Sequence, residues 1–226
     1  MLNRGMALAA AVGISTAMFA TPSYAVFVID DYNTTNLYSV TDNSAANGAE
    51  SLATGIDASN VVWGALGGGA GATRTIFADL GAGDSLTANV CNNCQVGEHV
   101  SANNSIGDTA FAYTGDSVDV SSEDFVMLTY EGDLAGASIT ITFDDAVAGT
   151  GSVSTGVLGT SASIMLALPG GVDYSQLTGA RVDITGVTEL DGEIDNFKLT
   201  DAPEPATLGL LAAGLLGLGA ARRRRR

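Results

Sequence analysis

Short runs in which apolar and polar residues alternate recur along the middle of the chain: VFVID from Val26, NLYSV from Asn36, VVWGAL from Val61, TRTIFADL from Thr73 and DSLTANV from Asp84. The series continues with TAFAYT from Thr109, EDFVMLTYE from Glu123, ASITITF from Ala137, SIMLAL from Ser163, ARVDITGV from Ala180 and EIDNFKLT from Glu193. In ASITITF the residues Ile139, Ile141 and Phe143 fall on one face and Ser138, Thr140 and Thr142 on the other. A period of two predicts half-buried antiparallel strands. The segments GGGAG, DNSAANG, CNNCQVG, NNSIGD, EGDLAG and VAGTGS between the runs are rich in turn-forming residues. No long stretch shows helical apolar spacing with caps, apart from a short turn at 173–177. The pattern predicts an all-β fold, an antiparallel β-sandwich of jelly-roll-like form. No constant repeat and no internal linker divides it, so 26–202 reads as one domain.

Both ends break the pattern. Residues 1–25 place Arg4 ahead of an apolar stretch, Met6 to Ala20, and end in the small-residue site Ser23-Tyr24-Ala25. This predicts a signal-peptide helix that hands the chain to the Sec export machinery; an uncut anchor is the alternative. At the other end, residues 206–221 form an apolar run of 16 residues without charge. As a helix it would extend about 24 Å, a transmembrane segment slightly short for a hydrocarbon core of about 30 Å. Arg222, Arg223, Arg224, Arg225 and Arg226 follow it as a cytoplasmic stop.

Charge sharpens this division. All 25 Asp and Glu lie between Asp30 and Glu204, against the three basic residues Arg74, Arg181 and Lys198, a net of −22 for that stretch. Such a surface disfavours nucleic acid, which is held by Lys and Arg on phosphates, and favours solubility and divalent cations. The chemistry available within it is thin. His99 is the single histidine, and it lies near Cys91 and Cys94, the only cysteines. In an oxidising compartment this pair predicts a small local disulfide. Alternatives are a metal site using Cys91, Cys94 and His99, which needs a fourth ligand, and free thiols. The adjacent Asp144 and Asp145 do not define the separation that glycoside hydrolysis needs. GGGAGATR runs into a strand-like segment where a dinucleotide-binding turn needs a helix. No catalytic constellation emerges, and the sequence predicts a protein without catalytic activity.

Pro203-Glu204-Pro205, a short Gly/Leu/Ala-rich span and a terminal Arg cluster, in this order, resemble the PEP-CTERM sorting signal of Gram-negative bacteria. The resemblance covers 203–226 and implies that Pro203, Glu204 and Pro205 are recognised by an exosortase, a membrane-embedded cysteine protease, as residues of its substrate. It further implies export across the inner membrane, transient anchoring, and a final place at the cell surface or in the extracellular polysaccharide of a biofilm. The two prolines fix φ and remove backbone donors, which keeps the motif extended as a protease requires. The opening VFVIDDYNTTN and closing DGEIDNFKLT are similar to those of bacterial jelly-roll domains of the carbohydrate-binding type. That similarity implies a structural calcium held by Asp30, Asp31 and Asp195. It also raises an alternative function, a calcium-stabilised carbohydrate-binding module, with Trp63, Tyr113, Tyr130 and Tyr174 as candidate platforms.

Overall fold

The computed structural model describes residues 26–32, 37–46, 48–55, 63, 73–90 and 95–201. Their strands form two antiparallel sheets of seven and six strands. The first runs in the order β11 (Ser161–Ala167), β8 (Phe125–Gly132), β13 (Asp191–Thr200), β6 (Gly97–Ala102), β5 (Ser85–Val90), β2 (Tyr38–Asp42). β1 (Val26–Asp30) pairs with the second half of β13, where Val26 lies opposite Thr200. The second sheet runs β10 (Thr150–Val157), β9 (Ser138–Asp145), β12 (Leu177–Thr185), β7 (Ile106–Val118), β4 (Thr73–Ala82), β3 (Glu50–Gly55). The chain passes repeatedly from one sheet to the other, the jelly-roll-like connectivity that alternating runs can satisfy only by facing each other.

The alternation fixes the core. Ile139, Ile141 and Phe143 of β9 are fully buried, as are Ile76 of β4, Val182 and Ile184 of β12, and Ile194 and Leu199 of β13. Each large aliphatic side chain removed from water contributes about 1.5–3 kcal/mol, and the two inner faces interdigitate to form one core cluster. Gly97 is required by this packing: a Cβ there would lie 2.8 Å from the Tyr32 ring and 2.9 Å from Phe111. The two sheets pack around a single core cluster, so 26–201 carries the strands and the core of one folding unit.

Three local expectations are corrected. VVWGAL was expected as a strand, but Trp63 is helical. VAGTGS was expected as a turn, yet from Thr150 it enters strand β10. β10 escapes the period-two signal because it lies at a sheet end, where Ser, Thr and Gly need not alternate with large apolar residues. β3 and β6 were not anticipated either: β3 too ends a sheet, while β6 lies inside the first sheet, where its inward Gly97 and His99 give no apolar alternation. The turn expected at 173–177 is a 3₁₀ turn over Tyr174–Gln176, capped by Asp173, which accepts from the Ser175 amide. Among the described residues no helix is long and apolar enough to cross a membrane. The expected signal-peptide helix, the span 206–221 and the five terminal arginines lie outside the described residues.

Candidate functional site

The end of β1 brings Asp30 between the sheets, where it is fully buried. Its Oδ1 accepts from the Tyr32 amide at 2.7 Å, and its Oδ2 accepts from Arg74 Nε at 2.7 Å and from the Tyr113 hydroxyl at 2.9 Å. Arg74 Nη2 closes a second contact to Oδ2 at 2.5 Å, and the guanidinium lies 5.7 Å from the Tyr32 ring centroid. Burial raises the Asp30 carboxyl, and the Arg74 guanidinium, the Tyr32 amide and the Tyr113 hydroxyl oppose that rise. The arrangement is a sandwich-spanning ion pair, because Asp30 belongs to the first sheet and Arg74 and Tyr113 to β4 and β7 of the second.

The calcium expectation concerns the same part of the fold. Asp30 points inward with both oxygens hydrogen-bonded within the core. Asp195 stays on β13, accepts from the amide and side chain of its neighbour Asn196, and is raised by partial burial and by Asp31. Among the described residues no three His, Cys, Asp or Glu are placed to hold a metal ion. Calcium prefers six to eight oxygens, a set that Asp30, Asp31 and Asp195 do not assemble.

The aromatic candidates also turn inward. Trp63 is 1% exposed, packs edge-on to Phe27 at 5.9 Å and donates from Nε1 to the Asp116 carbonyl at 3.2 Å. Tyr113 and Tyr130 are buried, and Tyr174 is half-buried with its hydroxyl donating to the Pro169 carbonyl. None of the four forms an exposed stacking platform. His99 is buried as well: Nδ1 lies 3.0 Å from Thr109 Oγ1, and Nε2 has no partner among the described residues. Burial lowers its pKa to about 4, so the ring is neutral at physiological pH. Cys91 and Cys94 lie outside the described residues.

Sequence reasoning missed a feature of the outer face of the first sheet. Asn89, Glu98, Glu193, Glu131 and Ser161, from five adjacent strands, are cross-strand neighbours in one row. Strands lie about 4.8 Å apart, so three carboxylates stand in line at nearly that spacing. Partial burial, then Glu131, Glu98 and Asp195, raise the Glu193 carboxyl above its ordinary range. Asn89 donates to Glu98 at 3.2 Å. Glu98, Glu193, Glu131 and Ser161 of this row line a cleft of about 460 Å³ together with Asp133 and Asp191. The outward parity of Glu131 and Glu193 could be read from their own strands, whereas Glu98 lies on β6, which shows no apolar alternation. Their shared register could not, since β6, β13 and β8 are far apart in sequence.

No curated protein matches the chain in sequence. Among solved structures it is similar to a family 11 carbohydrate-binding module of a cellulosomal cellulase of Clostridium thermocellum, with 11% identity over 79% of this chain and 95% of that one, at a TM-score of 0.40. A carbohydrate-binding module of family 29 gives 10% identity over 82% and 97%, also at 0.40. Likeness this distant carries no argument about what the domain binds. The tail is different: residues 201–226 match the family model of the PEP-CTERM protein-sorting motif. That match begins at Asp201, the residue after the last strand, and the chain therefore carries a PEP-CTERM sorting motif directly behind its sandwich.

Proposed function

We propose that the chain is an exported bacterial surface or extracellular-matrix protein, sorted and cleaved by an exosortase through its tail, with a non-catalytic sandwich as the exported cargo. The observation that carries this reading is the sorting motif starting where β13 ends, so that Pro203, Glu204 and Pro205 follow the last strand closely in sequence. The Sec machinery, through residues 1–25, and the membrane, through 206–221, are the partners of the journey. The strongly acidic sandwich suits a surface that must stay soluble at high local concentration. Expression in a Gram-negative host with and without its exosortase tests the reading. The chain should be recovered outside the cell lacking residues 206–226 only when the protease is present, and Glu204→Ala should leave it uncleaved in the membrane fraction. Equal release in both hosts would refute it.

Carbohydrate binding is retained as a second reading on one observation, the cleft lined by Glu98, Glu193, Glu131 and Ser161. Carboxylates and a hydroxyl in a row can accept from and donate to successive hydroxyls of an extracellular polysaccharide. Retention of the sandwich on the host polysaccharide, unchanged by chelator and lost in Glu193→Ala, would support it. No retention would leave the protein without a glycan partner.

A further inference from the structure

The strands that end the two sheets are unequally protected. β2 and β3, on one side of the sandwich, carry Asp42 and Glu50. β10 and β11, on the other, carry no charge, and no Asp, Glu, Lys, Arg or His occurs anywhere from Ala146 to Val172. In a domain this acidic, 27 consecutive uncharged residues single out one flank. Edge strands present unpaired N–H and C=O groups, and proteins guard them with charges, bulges or prolines. β10 is guarded by a register shift between Ser154 and Val157 and by Gly156 at φ +70°. β11 has none of these devices: Ser161 to Ala167 pair residue by residue with Glu131 to Phe125, without interruption.

The side chains of β11 fit the same conclusion. Met165 is 41% exposed on the outer face, while Ala162 and Leu166 remain only half-buried against the core at the sheet's rim. A further strand would cover this apolar area. We propose that β11 is a pairing edge for a second copy of this chain, joined antiparallel through Ser161–Ala167. The uncharged flank is where two copies of so acidic a domain can meet without opposing like charges, and symmetry sets the direction. Antiparallel pairing centred on Ile164 sets Ser161 of one copy beside Ala167 of the other and keeps both outer faces on one side. The row containing Glu131, Glu193 and Glu98 then continues into the second copy's uncharged row of Ala167, Phe125, Thr200 and Val26. Parallel pairing through the same edge would turn one sheet over and set its outer face beside the other's core-facing side. The contact is self-complementary, as a two-fold dimer requires, and it does not depend on how the tail is processed.

Sedimentation velocity of the sandwich, residues 26–201, from about 1 μM to about 1 mM tests the proposal across the affinity range of a small edge contact. A concentration-dependent dimer is expected, with hydrogen-exchange protection rising with concentration at β11 and unchanged at β2. Ser163→Lys and Met165→Lys, both at exposed outer positions, should each weaken dimerisation at least about tenfold, as edge charges do, with thermal melting confirming that each variant folds. A monomer at every concentration would overturn the proposal. So would a dimer indifferent to both substitutions, or one protected away from β11. If neither variant folds, exchange in the unaltered chain decides.

Discussion

Asp30 and Glu193 are both carboxylates of the first sheet, yet they live under opposite rules. Asp30, turned inward, is surrounded by a guanidinium, a phenol and an amide. Glu193, turned outward, has Glu98 on one side and Glu131 on the other. The contrast shows where the domain places its scarce cations. Arg74 is committed to tying β1 across the core, and Arg181 pairs with Asp183 at 2.6 Å. Lys198 is the remaining cation of the sandwich and lies beyond the acidic row, opposite Met127. The three glutamates of the row have no cation as a cross-strand neighbour, at a cost in stability that solvent screening keeps small.

Breaking the inner arrangement should have the largest effect. Arg74→Met leaves a buried carboxylate without its counter-ion, and chemical denaturation should show a loss of about 3–5 kcal/mol. A double variant that also replaces Asp30 with Leu should recover much of it, since the penalty lies in the unpaired charge. His99 comes next. Its folded pKa of about 4 lies below the unfolded value of 6.5, so the unfolded chain binds the proton more readily. Its contribution is therefore complete above pH 6.5 and is lost as pH falls toward 4, by at most about 3 kcal/mol. Stability measured against pH should slope in that window, and His99→Gln should flatten the slope.

Tyr113→Phe sharpens the contrast further, because it removes one donor from Asp30 and leaves the ion pair. A loss of about 1.5–3 kcal/mol in urea unfolding is expected for a hydrogen bond to a charged group. The smallest effect, with the opposite sign, belongs to the outer row. Glu193→Gln should stabilise the domain at neutral pH by up to about 1 kcal/mol, reduced by solvent exposure. Because the Glu193 carboxyl is held above its ordinary range, its penalty is absent below the unfolded carboxylate pKa and grows as pH rises through the raised value. The gain from the substitution should therefore vanish in acid.

Much of the sandwich was legible because burial writes a period of two into strands that have a core to face, as in ASITITF. It became illegible where that pressure stops. β10 and β3 end their sheets, and neither carries an alternation that would announce a strand; β6 lies inside a sheet but turns Gly97 and His99 inward, so it shows no apolar alternation either. Trp63 sits among residues of strand-like composition but is helical, its ring locked against Phe27 by tertiary packing that no local pattern records. The candidate site was less legible than the fold. Asp30 looked like an exposed strand-end ligand in VFVIDDY, and its true partners, Arg74 and Tyr113, lie 44 and 83 residues away. The glutamate row depends on the same long-range register. The sorting motif was readable because it is a local string, matched over residues 201–226.

The most direct test of the central claim, that the address resides in the tail and the sandwich is cargo, is to append residues 201–226 to an unrelated secreted protein in an exosortase-bearing host and weigh the product. The account predicts a reporter released from the cell with its mass reduced by removal of the apolar run and the arginines. A reporter that keeps its full mass, while the native chain is trimmed in the same cells, would contradict the account and place part of the recognition within the sandwich.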